Sequence, residues 1–518
     1  MTVVLTGRDL DRDGLVRVAR GDEDVALGAA ARERMSRTRD ILRRSIAAGS
    51  SIYGTTTGVG VLKRVGIDPD DAAAYSSAML SHHLVGQGPL APPDVVRATL
   101  ARLANHLAEG SPGVRPQLAE RIVAALAAGE LPDVPSVGSV GQADLAPLAA
   151  IAVWLVGAGH SGLPFELEPG EGTALLDNNA FSTAWAALAI SDAETLLDAL
   201  DVAAALSLDG FAANPSMLDP AVGRVRPYPG LVAALARLGR LLVGSAIHEP
   251  GVARNLQDPL SFRNAPQVLG AARDALSHAD AILAIELNAN QGNPIVVVGG
   301  ADGRDDRDDR DDRDDRDRIV SVANFEILPL AAALDHLRIV LASALSVSAE
   351  RVVKGLYPAW SGLPTGLVPD DGTAHAGLTY LSLAAQSLAV EARLLAAPVS
   401  FELTSTAHAE GIEDRTTMAP LAARRLADQV AIGSSIAAIE LAVAAQALEL
   451  RGHQPGVGTG QALAAVRTYV PFVAMNGRVA PVDGLAAAVR AGAIATAVLG
   501  PDDGTGPHAR GIGDDDGA

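Results

Sequence analysis

Apolar residues recur at three- and four-residue spacing through most of this chain, the period of a helix with a buried face. The segments 181–207, 229–247, 264–290, 324–352, 372–397 and 419–451 are dominated by Ala and Leu and predict long helices. The same spacing covers Arg32–Ala48. It also runs through 71–129, broken at Gly86-Gln87-Gly88-Pro89 and Gly110-Ser111-Pro112-Gly113. A further apolar helix opens at Leu145. Alternating strand patterns are few: Thr2–Thr6 at the start, and Pro294–Val298 with Arg318–Val322 as the arms of a hairpin. The pattern predicts a mainly all-α protein, a long-helix bundle with a small loop-rich N-terminal part and a minor β-hairpin. The expected division is 1–200, holding two Gly-rich loops, then 201–500, the bundle, and a frayed tail over 501–518.

Composition sharpens this picture. The 518 residues are 48% hydrophobic but only 3% aromatic, so the core is built from Ala, Leu and Val, and Ala has the best helix propensity. With no Cys, disulfides, thiolate metal sites and Cys nucleophiles are excluded. The net charge of −20 lacks the basic footprint of nucleic-acid binding. Residues Met1–Gly7 show no basic start followed by an apolar run. The longest uninterrupted apolar stretch, Leu145–Gly159, is about 15 residues, short of the ~20 that cross a bilayer. A cytoplasmic protein without nucleic-acid or membrane partners is expected. Asp302–Arg318 holds six Arg and ten Asp and reads as a solvated insertion at the hairpin tip.

Five stretches carry candidate chemistry. In SIYGTTTGVG (51–60), Tyr53 precedes Gly54, Gly58 and Gly60. A Tyr there serves as a general base if neighbouring donors or cations lower its pKa, or simply caps a turn. His82 and His83 are adjacent on a helix and point apart, which makes them a poor metal pair; no metal site is expected. His82 reads as a site residue or a helix-terminal one. Asp144 is an N-cap at a helix start that also suits an anion. Arg263 follows a Pro-containing turn and suits a substrate carboxylate or a structural salt bridge. The polar groups 288–294, 324–326 and 413–414 interrupt apolar helices and need partners or a ligand.

Taken in this order, the stretches resemble the histidine and phenylalanine ammonia-lyase family of aromatic amino acid lyases and aminomutases, over roughly residues 3–500. YGTTTGVG resembles the family's YGxxTGxG, and SHHLVGQGPL its SHxxGxGxPL. GSVGQADLAPLA resembles its signature GSVGASGDLAPLA, and QDPLSFRNAPQVLG its QDPYSxRxxPQVxG. Asn290–Pro294, Asn324-Phe325 and Glu413-Asp414 resemble NDNP, GNFH and QED. The resemblance implies a mostly helical homotetramer whose active sites are shared between subunits and take a small-molecule carboxylate. It implies Tyr53 as catalytic base, His82 in the substrate pocket and Arg263 as carboxylate clamp. Gln257 becomes a pocket residue, Glu413 lies near the substrate amine, and Asn178 and Asn324 belong to the substrate site.

Three departures concern one group. The family cyclises and dehydrates an internal Ala-Ser-Gly into a methylidene-imidazolone electrophile. This chain has Gly141-Gln142-Ala143-Asp144, one residue shorter and without the Ser. Ser139 lies upstream and is followed by Val140. The family's LLNG reads Leu175-Leu176-Asp177-Asn178, and its QDPY Tyr is Leu260. No cofactor is therefore expected. The reading drawn is an ammonia-lyase-like, cofactor-free enzyme catalysing elimination, addition or isomerisation on an amino-acid-derived or unsaturated acid, in biosynthetic tailoring. Beside it stand a non-catalytic binding or structural relative and a conventional histidine-type ammonia-lyase.

Overall fold

The Ala- and Leu-rich segments form helices close to where the apolar period places them: Ala180–Phe211, Pro229–Leu241, Ala265–Glu286, Leu328–Leu356 and Ala419–Arg451. The computed structural model describes residues 2–68, 70–157, 163–300, 316–369, 376–401, 408–474 and 479–500. The 501–518 tail and all of the charged insertion except its last three residues lie outside these. The protein is mainly helical, as the periodicity predicts. The helix expected over 372–397 begins only at Leu381, because the chain first turns at Gly377 (φ 51°) and Leu378 donates to the Gly366 carbonyl at 2.8 Å.

Among the described residues, three two-stranded pieces accompany the helices. Ile295–Val297 pairs antiparallel with Arg318–Val320, the expected hairpin. Thr2–Leu5 pairs in parallel with Asp24–Leu27, and Gln87–Leu90 pairs with Pro135–Val137. No strand is expected over Asp24–Leu27 or Pro135–Val137, and Gln87–Leu90 lies where the Gly- and Pro-containing sequence reads only as a break between helices.

The chain divides into two compact units. One comprises 1–191, 278–335 and 398–425; the other comprises 192–277, 336–397 and 426–518. The first is organised around the helix Pro93–Glu109, most of which is buried. Arg102 and Asn105 on that helix are fully buried. Arg102 donates to the Glu286 and Ala289 carbonyls, both at 2.8 Å, and Asn105 to the Leu287 carbonyl at 2.9 Å. These bonds satisfy the carbonyls exposed where the Ala265–Glu286 helix ends.

The second unit shows why a core poor in aromatics packs well. Gly210 sits against another helix so closely that a Cβ there would lie 2.9 Å from the Ala444 carbonyl oxygen. The buried Glu440 is paired with Arg351 and accepts from Ser207 at 2.6 Å, so its charge is compensated. Two helices, Leu328–Leu356 and Ala419–Arg451, are long and apolar enough to cross a membrane by length and composition, which a count of uninterrupted apolar residues missed. Their apolar windows are 61% and 83% buried within the protein, as core helices are.

Candidate active site

The Tyr53 loop is built by local hydrogen bonds. The Ile52 carbonyl accepts from Thr55, Thr56 and Thr57 N–H at 2.9–3.1 Å, and the Thr56 hydroxyl accepts from Ile52 N–H at 2.8 Å. Gly54 takes φ 66°, and a Cβ there would collide with the Thr173 side chain. The same threonine donates to the Gly54 carbonyl at 2.6 Å. Thr173 belongs to the short helix Glu171–Leu176, which ends at Asp177. One clasp therefore sets the positions of both Tyr53 and Asp177.

The glycine loop then turns its N–H groups onto two tyrosines. Gly60 N–H donates to the Tyr53 hydroxyl at 3.0 Å, and Val59 N–H donates to the Tyr75 hydroxyl at 3.1 Å. Burial pushes the Tyr53 phenol above its ordinary value, and the charges of Asp177 and Glu413 push it the same way; the Gly60 donor opposes them. Burial, reinforced by Glu413, pushes the Asp177 carboxyl up to about 8. Tyr53, Asp177 and Glu413 thus form one electrostatically coupled group in the first unit. Glu413 itself is exposed. Its loop lies beside the Tyr53 loop through the Lys63–Glu410 ion pair at 3.2 Å.

The remaining predicted residues are placed as follows. His82 is exposed at the end of the helix Ala72–His82. Asn178 is fully buried and holds the start of the Ala180–Phe211 helix, accepting from Ala180 N–H at 3.0 Å. Asn324 is exposed. Gln257, Leu260 and Arg263 belong to the second unit, where Arg263 donates to the Gln257 side-chain oxygen. Leu260 is 58% exposed. Among the described residues no group of three or more His, Asp or Glu is arranged to hold a metal.

The loop 138–144 is a braced turn. Gly141 and Ala143 bridge each other across Gln142, with φ 81° and 61°. The Gly141 carbonyl accepts from Thr417 at 2.8 Å. The Gln142 amide donates to Glu326 at 2.8 Å, which also pairs with Arg415 at 3.2 Å. Buried Asp144 accepts from Ser182 N–H at 2.7 Å, Ser182 Oγ at 2.7 Å and Ser139 Oγ at 2.9 Å. Burial still pushes it up to about 6, against those bonds. These residues do not fit a methylidene-imidazolone. Gln142 and Ala143 have no hydroxyl to lose, and the Ser139 hydroxyl is engaged by Asp144.

Three residues of this region carried no signal in the sequence. Tyr75, Thr173 and Thr417 match no motif and act through partners 16, 119 and 276 positions away.

A sequence model of the family described as aromatic amino acid lyase matches residues 10–468. The chain is 34% identical to histidine ammonia-lyase of Deinococcus radiodurans over 489 residues, covering 90% of each. It is 34% identical to that of Symbiobacterium thermophilum over 519 residues, covering 96% of this chain and 98% of that protein. Its fold is similar to histidine ammonia-lyase from Trypanosoma cruzi, with a TM-score of 0.84 and 27% identity, covering 96% and 95%. It is also similar to the ergothioneine-degrading ergothionase from Treponema denticola, with a TM-score of 0.85 and 27% identity, covering 96% and 99%. These relatives overturn the reading of an enzyme of open reaction type, catalysing elimination, addition or isomerisation on an amino-acid-derived or unsaturated acid. They support the conventional histidine-type alternative set beside it.

Proposed function

This chain belongs to the aromatic amino acid lyase family, and we propose that it is an ammonia-lyase acting on histidine or a closely similar imidazole amino acid. The observation that carries the reading is the 34% identity to histidine ammonia-lyases along nearly the full chain. The coupled group Tyr53, Asp177 and Glu413 supports it.

In the proposed reaction Arg263 holds the substrate carboxylate through its planar fork. The substrate ammonium faces Asp177 and Glu413. The Tyr53 phenolate takes a proton from Cβ while the Cα–N bond breaks and its electron pair leaves with nitrogen. The products are an α,β-unsaturated acid and ammonia, with the proton on Tyr53. The Gly60 N–H stabilises the phenolate, and the positive charges of substrate and Arg263 offset the two carboxylates. His82, Gln257, Leu260 and Asn324 line the pocket around the substrate, while Asn178 holds the backbone beside Asp177.

Two finer points belong to the same proposal. The chain is a divergent member whose loop 141–144 does not form the family's methylidene-imidazolone, and no step is derived through that group. An intact mass about 36 Da below the sequence mass would overturn this point, since ring formation removes two waters. The protein works in the cytoplasm as a homotetramer, with Arg263 and Gln257 supplied by a second copy. Exposed Leu256 (89%) and Leu260 near Arg263 support such an interface, and light scattering checks it.

The test of the function is incubation with histidine, phenylalanine and tyrosine, following ammonia and the ultraviolet absorbance of the conjugated acid. Release from histidine in preference to the others is expected. Release from none of the three overturns the reading.

A further inference from the structure

Beside Asp177 the first unit encloses a cavity of about 20 Å3, room for one water-sized guest. Its wall includes Thr55, His106, Thr173, Asp177, Asn290 and Asn293. His106 is 1% exposed, on the buried helix Pro93–Glu109, and neither ring nitrogen makes a well-formed hydrogen bond. The Ala289 carbonyl acts on the ring without forming such a bond, and burial together with Arg102 keeps the ring neutral. A neutral imidazole carries one N–H and one lone pair. Buried polar groups without partners are rare and call for an explanation.

The other polar groups of the wall are partly committed, and what they leave over is mixed: acceptors, together with the Thr55 hydroxyl and the Asn293 side-chain amide as donors. Thr173 spends its hydroxyl proton on the Gly54 carbonyl. The Asn290 side-chain oxygen accepts from Gly292 N–H at 2.7 Å. The Asn293 oxygen accepts from Val322 N–H at 2.8 Å and Ser321 Oγ at 3.1 Å. No described residue donates to the Asp177 carboxylate. The cavity therefore offers both donors and lone pairs, and Asp177 is the one acidic group of its wall. Water brings two donors and two acceptors to such a site. An ammonium ion brings four donors, no acceptor and the charge that complements Asp177. Potassium matches it in charge and roughly in size but gains little from an imidazole nitrogen, because it prefers oxygen ligands.

We propose that this cavity is a binding site for an ammonium ion, held between Asp177 and His106. Its role as the place that receives the nitrogen of the substrate rests on the ammonia-lyase reading above; its existence does not. Asp177 acts electrostatically on Tyr53 and with Glu413 and also lines the cavity, so a nitrogen released near that carboxylate has a polar site next to it, apart from the unsaturated acid.

The test uses the full chain without substrate. Ammonium chloride is titrated calorimetrically in the narrow window just above pH 8, where Asp177 is ionised and ammonium still keeps its proton, at ionic strength held constant with tetramethylammonium chloride. Saturable binding at one site per chain is expected, with tetramethylammonium too large to compete. Asp177→Asn, which keeps the shape of the side chain, weakens ammonium binding tenfold or more. His106→Leu weakens it as well, and potassium binds less tightly than ammonium. Crystals soaked in thallium(I), a heavy stand-in for ammonium, show an anomalous peak in the cavity. Absence of saturable binding, unchanged affinity in Asp177→Asn, or a cavity holding a water only overturns the proposal. Should His106→Leu fail to fold, Asp177→Asn and the thallium soak decide. Histidine turnover without ammonium binding removes this site alone, and ammonium binding without turnover removes the ammonia-lyase reading alone.

Discussion

Asp144, buried, and Asp177, half-buried, are acids of the first unit joined by one short path: Asp144 N–H donates at 2.8 Å to the carbonyl of Asn178, the neighbour of Asp177. Asp144 accepts three hydrogen bonds from Ser182 and Ser139, and burial raises it only to about 6. Asp177 accepts none from the described residues, faces the second acid Glu413 and is raised to about 8. A carboxylate whose two oxygens both accept from its own fold is part of the scaffold. One left without donors is available to a ligand. The first ties the start of the apolar helix at Leu145 to the start of the Ala180–Phe211 helix. The second stands open to the Tyr53 loop.

The largest effect that sharpens this contrast lies beside the open acid. Tyr53→Phe keeps the ring but removes the proton acceptor. Turnover of histidine should fall about 10²–10⁴-fold while the circular dichroism melt stays within about a degree of wild type. Unchanged turnover would remove Tyr53 from the chemistry.

Next comes the scaffold acid. Asp144→Ala strips three donors of their acceptor inside the protein and should cost about 2–4 kcal/mol of stability, read as a lower melting temperature. An unchanged melt would show that Asp144 is no brace.

A smaller effect separates the two acids by pH. A carboxyl whose folded pKa is raised binds its proton more tightly in the native state than in the unfolded chain, so its contribution to stability is lost as pH rises. For Asp177 that window runs from the ordinary carboxylate range, about 4, up to about 8. Asp177→Asn should flatten the fall of melting temperature across that window by up to about 1.4 kcal/mol per pH unit, and should match or exceed wild type at pH 8 and above. For Asp144 the window closes near 6. A wild-type curve already flat between pH 6 and 8 would contradict the assignment to Asp177.

The smallest effect is at the turn between them. Gln142→Ala removes the amide donor to Glu326, which keeps Arg415 as a partner. A loss of about 0.5–1.5 kcal/mol is expected, seen as a small drop in melting temperature. A larger loss would make this bond a principal support of the loop.

The amino-acid order alone determined the helical nature of the protein, because the apolar period acts locally and each helix satisfies its own backbone. The helix Ala419–Arg451 begins and ends at the residues that the pattern picks out. Order also determined the glycine loop with Tyr53, whose turn is closed by neighbours in sequence, and marked the hairpin arms Ile295–Val297 and Arg318–Val320 by their apolar residues. It set Gln142 and Ala143 where a hydroxyl would be needed, a property of composition that no fold can alter. Only the tertiary structure decided which acids are satisfied and which are not. Asp177 gains its raised pKa from burial and from Glu413, which lies far along the chain. Tyr53 owes its position to Thr173, and His106 became a wall of a cavity only when the Asn290–Pro294 turn closed over it. A side chain's solvation and its partners are sums over everything that surrounds it in space, and a linear pattern records only what lies beside it in sequence.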